Sequence, residues 1–240
     1  MFDRLLRRSV SKAILSARYP QFADRLRSLG YEIIPSETVR DFISYEQDHA
    51  DMQCLILDDT AFVLRCCSSL AKALKSAYNV VLCADGIGHD YPQNVPLNAA
   101  QVGKTIICRT DSLDDLVKEY CYSHDYELIH VRQGYAKCSC AVVSDNAIIT
   151  ADPGICKALQ GTKIDVLKIG QGRIRLDGAD YGFIGGASGY DKKNHTLYFT
   201  GDIRKHPDHE RIDEFCRKHE TEIISLGGDD LTDIGGIIIC

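Results

Sequence analysis

"ADMQCLILDDTAFVLRCCSSLAKALKSAYNVVLCA", residues 50–84, holds three short apolar runs and one stretch of helical periodicity. Asp58-Asp59 separates the first two runs with residues that tolerate the backbone of a tight hairpin turn. Leu70, Ala73 and Leu74 then recur at helical spacing and give one apolar stripe. "NVVLCA" is short and rich in β-branched residues, the pattern of a strand. The segment reads as strand 50–57, turn, strand 61–66, helix 68–77 and strand 79–84, a ββαβ unit.

Outward from it the same grammar returns, and such self-similarity decides the fold before any local assignment does. "VPLNAAQV" and "TIICR" flank Gly103-Lys104, followed by the helical "SLDDLVKEYCYS" and the strand "YELIHVR". "KCSCAVV" and "AIITA" flank Ser144-Asp145-Asn146, followed by "PGICKALQ" and "IDVLKI". "GFIGGAS" and "TLYFTGD" flank "GYDKKNH", followed by "DHERIDEFCRKH" and "TEIISL". A fifth unit is split. "LTDIGGIIIC" supplies its first strand, and "SKAILSA", "PQFADRLRSLG" and "YEIIP" supply the rest from the other end of the chain. The leads recur roughly every 42 to 51 residues, a period typical of radial or stacked repeats.

Local chemistry agrees. Pro20 and Pro153 stand where a helix begins and a missing N–H costs little. Ser68 and Ser112 are expected N-caps, and Gly30 ends the first helix. Phe22, Leu26 and Leu29 form that helix's expected buried stripe. A split unit can be completed only if the ends of the chain pair, which also removes exposed sheet edges. The expectation is an α/β fold of five ββαβ units around a central axis, closed by pairing of the N- and C-terminal segments, in a single domain over residues 1–240.

Composition narrows the function. Net charge is −6, which disfavours a broad basic footprint for nucleic acid. The first residues, "MFDRLLRRSVSKAILSA", are broken by charges and do not resemble a secretory signal. No run approaches the roughly 18 apolar residues of a membrane span. The expected location is therefore the cytoplasm. The 11 cysteines show neither a disulfide framework nor facing C-x-x-C pairs at zinc spacing, so most should be small buried hydrophobes. Asp202, His206 and His209 in "GDIRKHPDH" read as a loop before a helix capped by Asp208, not as a metal site.

Five ββαβ units around a pseudo-fivefold axis resemble the pentein superfamily of guanidine-modifying enzymes. "GYAKCSCAVVSDNAIITADPG", "DYGFIGGASG" and "TGDIRKHPD" resemble a bacterial pentein-type branch. The resemblance implies a five-bladed α/β propeller. It also implies a Cys thiolate that attacks a guanidinium carbon, a His that moves protons, and carboxylates that grip the planar cation. His49-Ala50-Asp51 matches the superfamily's H-x-D pattern, and Cys138 stands two units later, as the resemblance requires. The Cys unit is last in the known enzymes and third among the full units here, so equivalence implies a circularly permuted layout.

On this basis Cys138, His49 and Asp51 are the expected catalytic residues, and Asp180, Asp233 and Asp48 the expected cation-binding carboxylates. Cys140 and Cys240 are alternative nucleophiles, and Cys138 with Cys140 could instead be a redox pair on one strand face. Each residue also has a bland reading: His49 and Asp51 capping a strand, the cysteines inert in the core, Asp180 and Asp233 holding turns beside glycines. The expected partner is a small guanidino or amidino ligand, hydrolysed through a Cys thiouronium intermediate with no metal or organic cofactor. The alternative is a non-catalytic pentein that binds a small ligand or a protein partner in its channel.

Overall fold

The hairpin–helix–strand grammar is realised five times. The computed structural model of the chain describes residues 11–84, 88 and 90–240; the stretch "LRRSV" at 6–10, whose charges suggest a solvated face, lies outside them. The first full unit comprises β3 (Cys54–Leu57), β4 (Thr60–Leu64), α3 (Ser68–Leu74) and β5 (Asn79–Cys83), preceded by a short helix α2 (Ala50–Gln53). The second comprises β6 (Ala100–Val102), β7 (Thr105–Cys108), α4 (Asp115–Ser123) and β8 (Glu127–His130). In the third, a short helix α5 (Ala136–Ser139) leads into β9 (Cys140–Ser144), β10 (Ala147–Thr150), α6 (Pro153–Ala158) and β11 (Asp165–Lys168). The fourth comprises β12 (Ser188–Asp191), β13 (Thr196–Phe199), α7 (His209–Lys218) and β14 (Glu222–Ser225). The fifth is split as expected. β15 (Ile238–Ile239) pairs antiparallel with β1 (Lys12–Leu15), and β1 pairs parallel with β2 (Glu32–Pro35) after α1 (Pro20–Ser28).

Every unit forms one three-stranded sheet with the same order: a first strand antiparallel to the middle one, and a third strand parallel to it. The parallel pair needs a crossover, which the helix supplies. The middle strands β4, β10 and β13 are buried at every position, which is why they read as unbroken apolar runs. Each helix lays one stripe on its sheet: Leu70, Ala71 and Leu74 join Phe62 in one cluster, and Ile212, Phe215 and Cys216 join Leu197 and Phe199 in another.

Several local expectations change. Residues 50–53 and 137–139 are helical turns, not strand, so β3 and β9 start later than their apolar patterns suggest. Cys138 and Cys140 therefore do not share a strand face. β12 begins at Ser188 and takes up "GYD", placed in the turn by its polarity; pairing with β13 overrides that preference. The cap of α4 is Asp114, whose carboxylate accepts the Leu116 N–H at 2.9 Å, and not Ser112. Ser68 is the first helical residue of α3, after Cys67. Leu29 and Ala73 are exposed, with Ala23 and Ala71 buried in their helices instead. Among the described residues no helix is long and apolar enough to cross a membrane.

Candidate functional site

Each unit enters its first strand through a turn, and these five leads are joined in sequence. The Asn98 side-chain amide donates to the Asp51 carbonyl at 3.3 Å, and its oxygen accepts the backbone N–H groups of Lys137 at 2.8 Å and Cys138 at 3.4 Å. The Gly186 N–H donates to the Cys138 carbonyl at 2.9 Å, and the Gly236 N–H to the Gly186 carbonyl at 2.8 Å. The Asp51 N–H donates to the Gly235 carbonyl at 3.0 Å, which returns the path to the first unit. Hydrogen bonds thus run through all five leads and close on themselves. Asn98, Cys138, Gly186 and Gly236 each stand two residues before their unit's first strand.

Inside this ring the Cys138 thiol donates to Asp51 Oδ2 at 3.1 Å and receives the Asn98 amide on Sγ at 3.1 Å. Asp51 is 1% exposed and Cys138 2%. The second carboxylate oxygen, Asp51 Oδ1, is buried without any hydrogen-bond partner. A buried acceptor left unpaired costs free energy, so this oxygen is a ready receptor for an N–H donor. Burial pushes the Asp51 carboxyl up to about 6; Lys137 and His49 pull it down, and Asp233 adds to the rise. Burial likewise pushes the Cys138 thiol well above its ordinary value, and the charges of Asp51 and Asp233 push it further. A nearby His49 or a bound cation is what could lower that thiol; His49 is buried beside Asp51 and Glu46, but no hydrogen bond joins it to Cys138, whose partners are the Asp51 carboxylate and the Asn98 amide.

Asp233 is 1% exposed and holds two leads together: Oδ2 accepts the Phe183 N–H at 2.8 Å and Oδ1 the Gly235 N–H at 3.0 Å. Glycine is required on both sides of it. A Cβ at Gly186 would stand 2.0 Å from Asp233 Oδ1, and one at Gly235, whose φ is +76°, would stand 2.2 Å from His49 Cβ. Lys137, ahead of Cys138, donates its amine to the Gly185 carbonyl at 3.2 Å and sits close enough to Asp51 to lower its pKa.

The other expected residues lie elsewhere. Asp180 is exposed and makes none of the ring's contacts. Asp48 is buried, but Arg18 pairs with it at 2.7 Å and Ser16 donates to it, so it serves the fold locally. Cys140 packs among Ala136, Ile148 and Ile155, and burial holds its thiol up at about 12. Cys240 follows β15 beside Tyr78, its thiol pushed by burial up to about 11. Asp202 is paired with Arg204 at 2.7 Å. Asn98 and Lys137 were not anticipated. Aligning the five leads on their first strands would have put Asn98 level with Cys138; a lone Asn in an apolar run otherwise carries no signal.

The model of a family of unknown function, DUF6873, matches residues 14–238. No curated protein matches the sequence. Among solved structures, the chain is similar to a dimethylarginine dimethylaminohydrolase in adduct with S-methyl-L-thiocitrulline, at 11% identity and TM-score 0.56, over 90% of this chain and 91% of that one. It is similar to the dimethylarginine dimethylaminohydrolase of Pseudomonas aeruginosa complexed with citrulline, at 11% identity and TM-score 0.54, over 90% of each chain. The agmatine deiminase of C. jejuni matches at 11% identity and TM-score 0.50, over 91% of this chain and 87% of that one. At such identity the likeness is one of fold, which is of the pentein type.

Proposed function

This chain belongs to DUF6873, and from its fold and its buried thiol–carboxylate pair we propose that it hydrolyses a guanidino or amidino group through Cys138. The observation that carries the reading is Asp51: one oxygen meets the Cys138 thiol, and the other is buried with no partner. A planar cation placed there would satisfy Asp51 Oδ1 and offset the charges of Asp51 and Asp233. Burial first and those charges second keep the thiol protonated, and a cation that offsets the charges would favour the thiolate.

In the proposed reaction the thiol proton passes to Asp51, whose raised pKa suits it as acceptor. The Cys138 sulfur adds to the guanidinium carbon. The C–N bond then breaks, and the departing nitrogen takes a proton from His49 to leave as ammonia or an amine. The product at this stage is a thiouronium on Cys138. Water adds to its carbon and gives a proton to His49; the C–S bond then breaks, the urea-type product leaves with its excess proton lost to solvent, and Asp51 returns its proton to the Cys138 sulfur. Asp233 would hold the far edge of the cation, leaving Asp180 and Asp48 without a role in it. No metal or organic cofactor takes part in this scheme.

The same reading takes the chain for a single cytoplasmic domain of a bacterial pentein branch. Its five sheets would be the blades of a propeller around a pseudo-fivefold axis, and the lead-to-lead hydrogen bonds support that arrangement. One observation favours a second reading, a binding module without turnover: Cys138 and Asp51 are closed off from solvent. The test is acid-quenched mass spectrometry after incubation with a panel of guanidino compounds. A thiouronium adduct on Cys138 with matching ammonia or amine release is the expected result. Binding with neither adduct nor release would leave the module reading in its place.

A further inference from the structure

The first strand of each unit carries a residue that the fold leaves only half-buried: Ile56 in β3, Gln101 in β6, Val142 in β9, Tyr190 in β12 and Ile238 in β15. The first four each stand between two buried neighbours. All five line one cavity of about 370 Å³, a volume that suits a small molecule. They lie further along their strands than the ring does: Val142 stands four residues after Cys138, and Tyr190 four after Gly186. The cavity is thus one layer beyond the ring, and Asp51, Cys138 and Asp233 are not among its lining residues.

The charges around this cavity differ in kind. Asp58 and Asp145, in the turns of two hairpins, are neutralised by Lys104 at 3.0 Å and Lys192 at 2.8 Å, and these exposed pairs form part of its rim. Burial keeps the Cys54 and Cys240 thiols of the lining protonated. Lys137 is the exception. It lines the cavity and is half-buried, and its amine donates to the Gly185 carbonyl at 3.2 Å. Among the described residues no carboxylate forms an ion pair with it. An ammonium has three donors, so two remain for a ligand. Gly236 precedes Ile237 of the cavity wall and shows where the amine lies. A Cβ on Gly236 would stand 3.2 Å from Lys137 Nζ and 3.5 Å from Asp51 Oδ2. The amine therefore sits at the inner end of the cavity, toward the ring. Apolar walls with one unpaired cation at their inner end complement an anion that carries an apolar body.

We propose that this cavity is a second ligand site, which takes a small monoanion with an apolar body, such as a medium-chain carboxylate. The charged group meets Lys137, and the body lies among Ile56, Val142, Tyr190 and Ile238. The site stands apart from the guanidine reading, because it uses none of Cys138, His49, Asp51 and Asp233. Its test is calorimetric titration of the whole chain, in a buffer free of carboxylates, with three probes: hexanoate, acetate and hexan-1-ol. Acetate keeps the charge and loses the body; hexan-1-ol keeps the body and loses the charge. Each buried methylene is worth on the order of fourfold in affinity. Hexanoate should therefore bind at least tenfold tighter than acetate, and through Lys137 at least tenfold tighter than hexan-1-ol. Lys137→Met should bring hexanoate and hexan-1-ol to within threefold of each other, and Lys137→Arg should keep the preference for the anion. Ile56→Phe, which fills the cavity and leaves the amine in place, should weaken hexanoate at least fivefold. A urea midpoint for each variant shows that it is folded. Absence of hexanoate binding would overturn the proposal, as would equal affinity for hexanoate and hexan-1-ol. A hexanoate affinity unmoved by Lys137→Met or by Ile56→Phe would place the binding elsewhere and overturn it too.

Discussion

Asp51 shows how one buried group can link stability, reactivity and binding. Its carboxyl is pushed up to about 6 chiefly by burial, so between about pH 4 and pH 6 the folded protein binds a proton that the unfolded chain has released. Stability conferred by the protonated form is full at low pH and is lost as pH rises through about 6. A rise from 3.8 to about 6 corresponds to roughly 3 kcal/mol. Urea unfolding at pH 4.5 and 7.5 should therefore show a smaller loss of stability with rising pH in Asp51→Asn than in the parent. A loss of equal size in both would show that Asp51 is not the group responsible. Glu46, also raised by burial, leaves a remaining slope of the same sign. The same substitution removes a charge that keeps the Cys138 thiol protonated, so alkylation of Cys138 should begin at lower pH than in the parent. The exposed Cys66 serves as the internal reference. Later onset would mean that Asp51 activates the thiol in the free protein, contrary to the pKa argument.

At the scale of the element, the lead is the unit of function. Two of the five leads end in a helical turn and others in glycine-rich loops, yet each delivers a residue to the same ring. Packing at this closeness explains the glycines of "FIGGAS" and "DIGGI" better than turn propensity does. Gly235→Ala would require left-handed backbone at a residue with a Cβ and a contact of 2.2 Å with His49. The expected cost is about 1–2 kcal/mol from backbone strain, and the clash adds to it. A urea midpoint unchanged by Gly235→Ala would refute the packing argument. Gly30, with φ +96° and nothing near its absent Cβ, is the control: there Ala should cost only the backbone strain.

Over the whole molecule, the β1–β15 pairing turns an array of four complete units into a set of five. Ile237, 2% exposed, packs beside Ala13, Leu15 and Tyr198 where the two ends of the chain meet. Ile237→Ala should cost about 3 kcal/mol by cavity formation, a fall in Tm of roughly 8 °C for a chain of this length. If the closure couples all units, near-UV and far-UV signals should still fall together. A biphasic transition would mean that the units melt independently and that the pairing contributes little cooperativity.

The repeat grammar was legible because strand and helix periodicities are local, and so is the turn chemistry of Asp58-Asp59 and Gly103-Lys104. Five units, the split fifth unit and the prolines at two helix starts followed from the amino-acid order alone. Element ends were less legible: residues 137–139 form a helical turn where their apolar pattern suggests strand, and the turn preference of residues 189–191 is overridden by pairing with β13. His49, Asp51, Cys138 and Asp233 could be selected as lead residues from the sequence. Their partners could not, because contacts such as Asn98 with Cys138 or Phe183 with Asp233 join different units. Asp180 and Asp233 look alike in sequence, each an acid shortly before glycines. Only the tertiary structure exposes one and buries the other, and burial sets both the energy of a charge and its pKa.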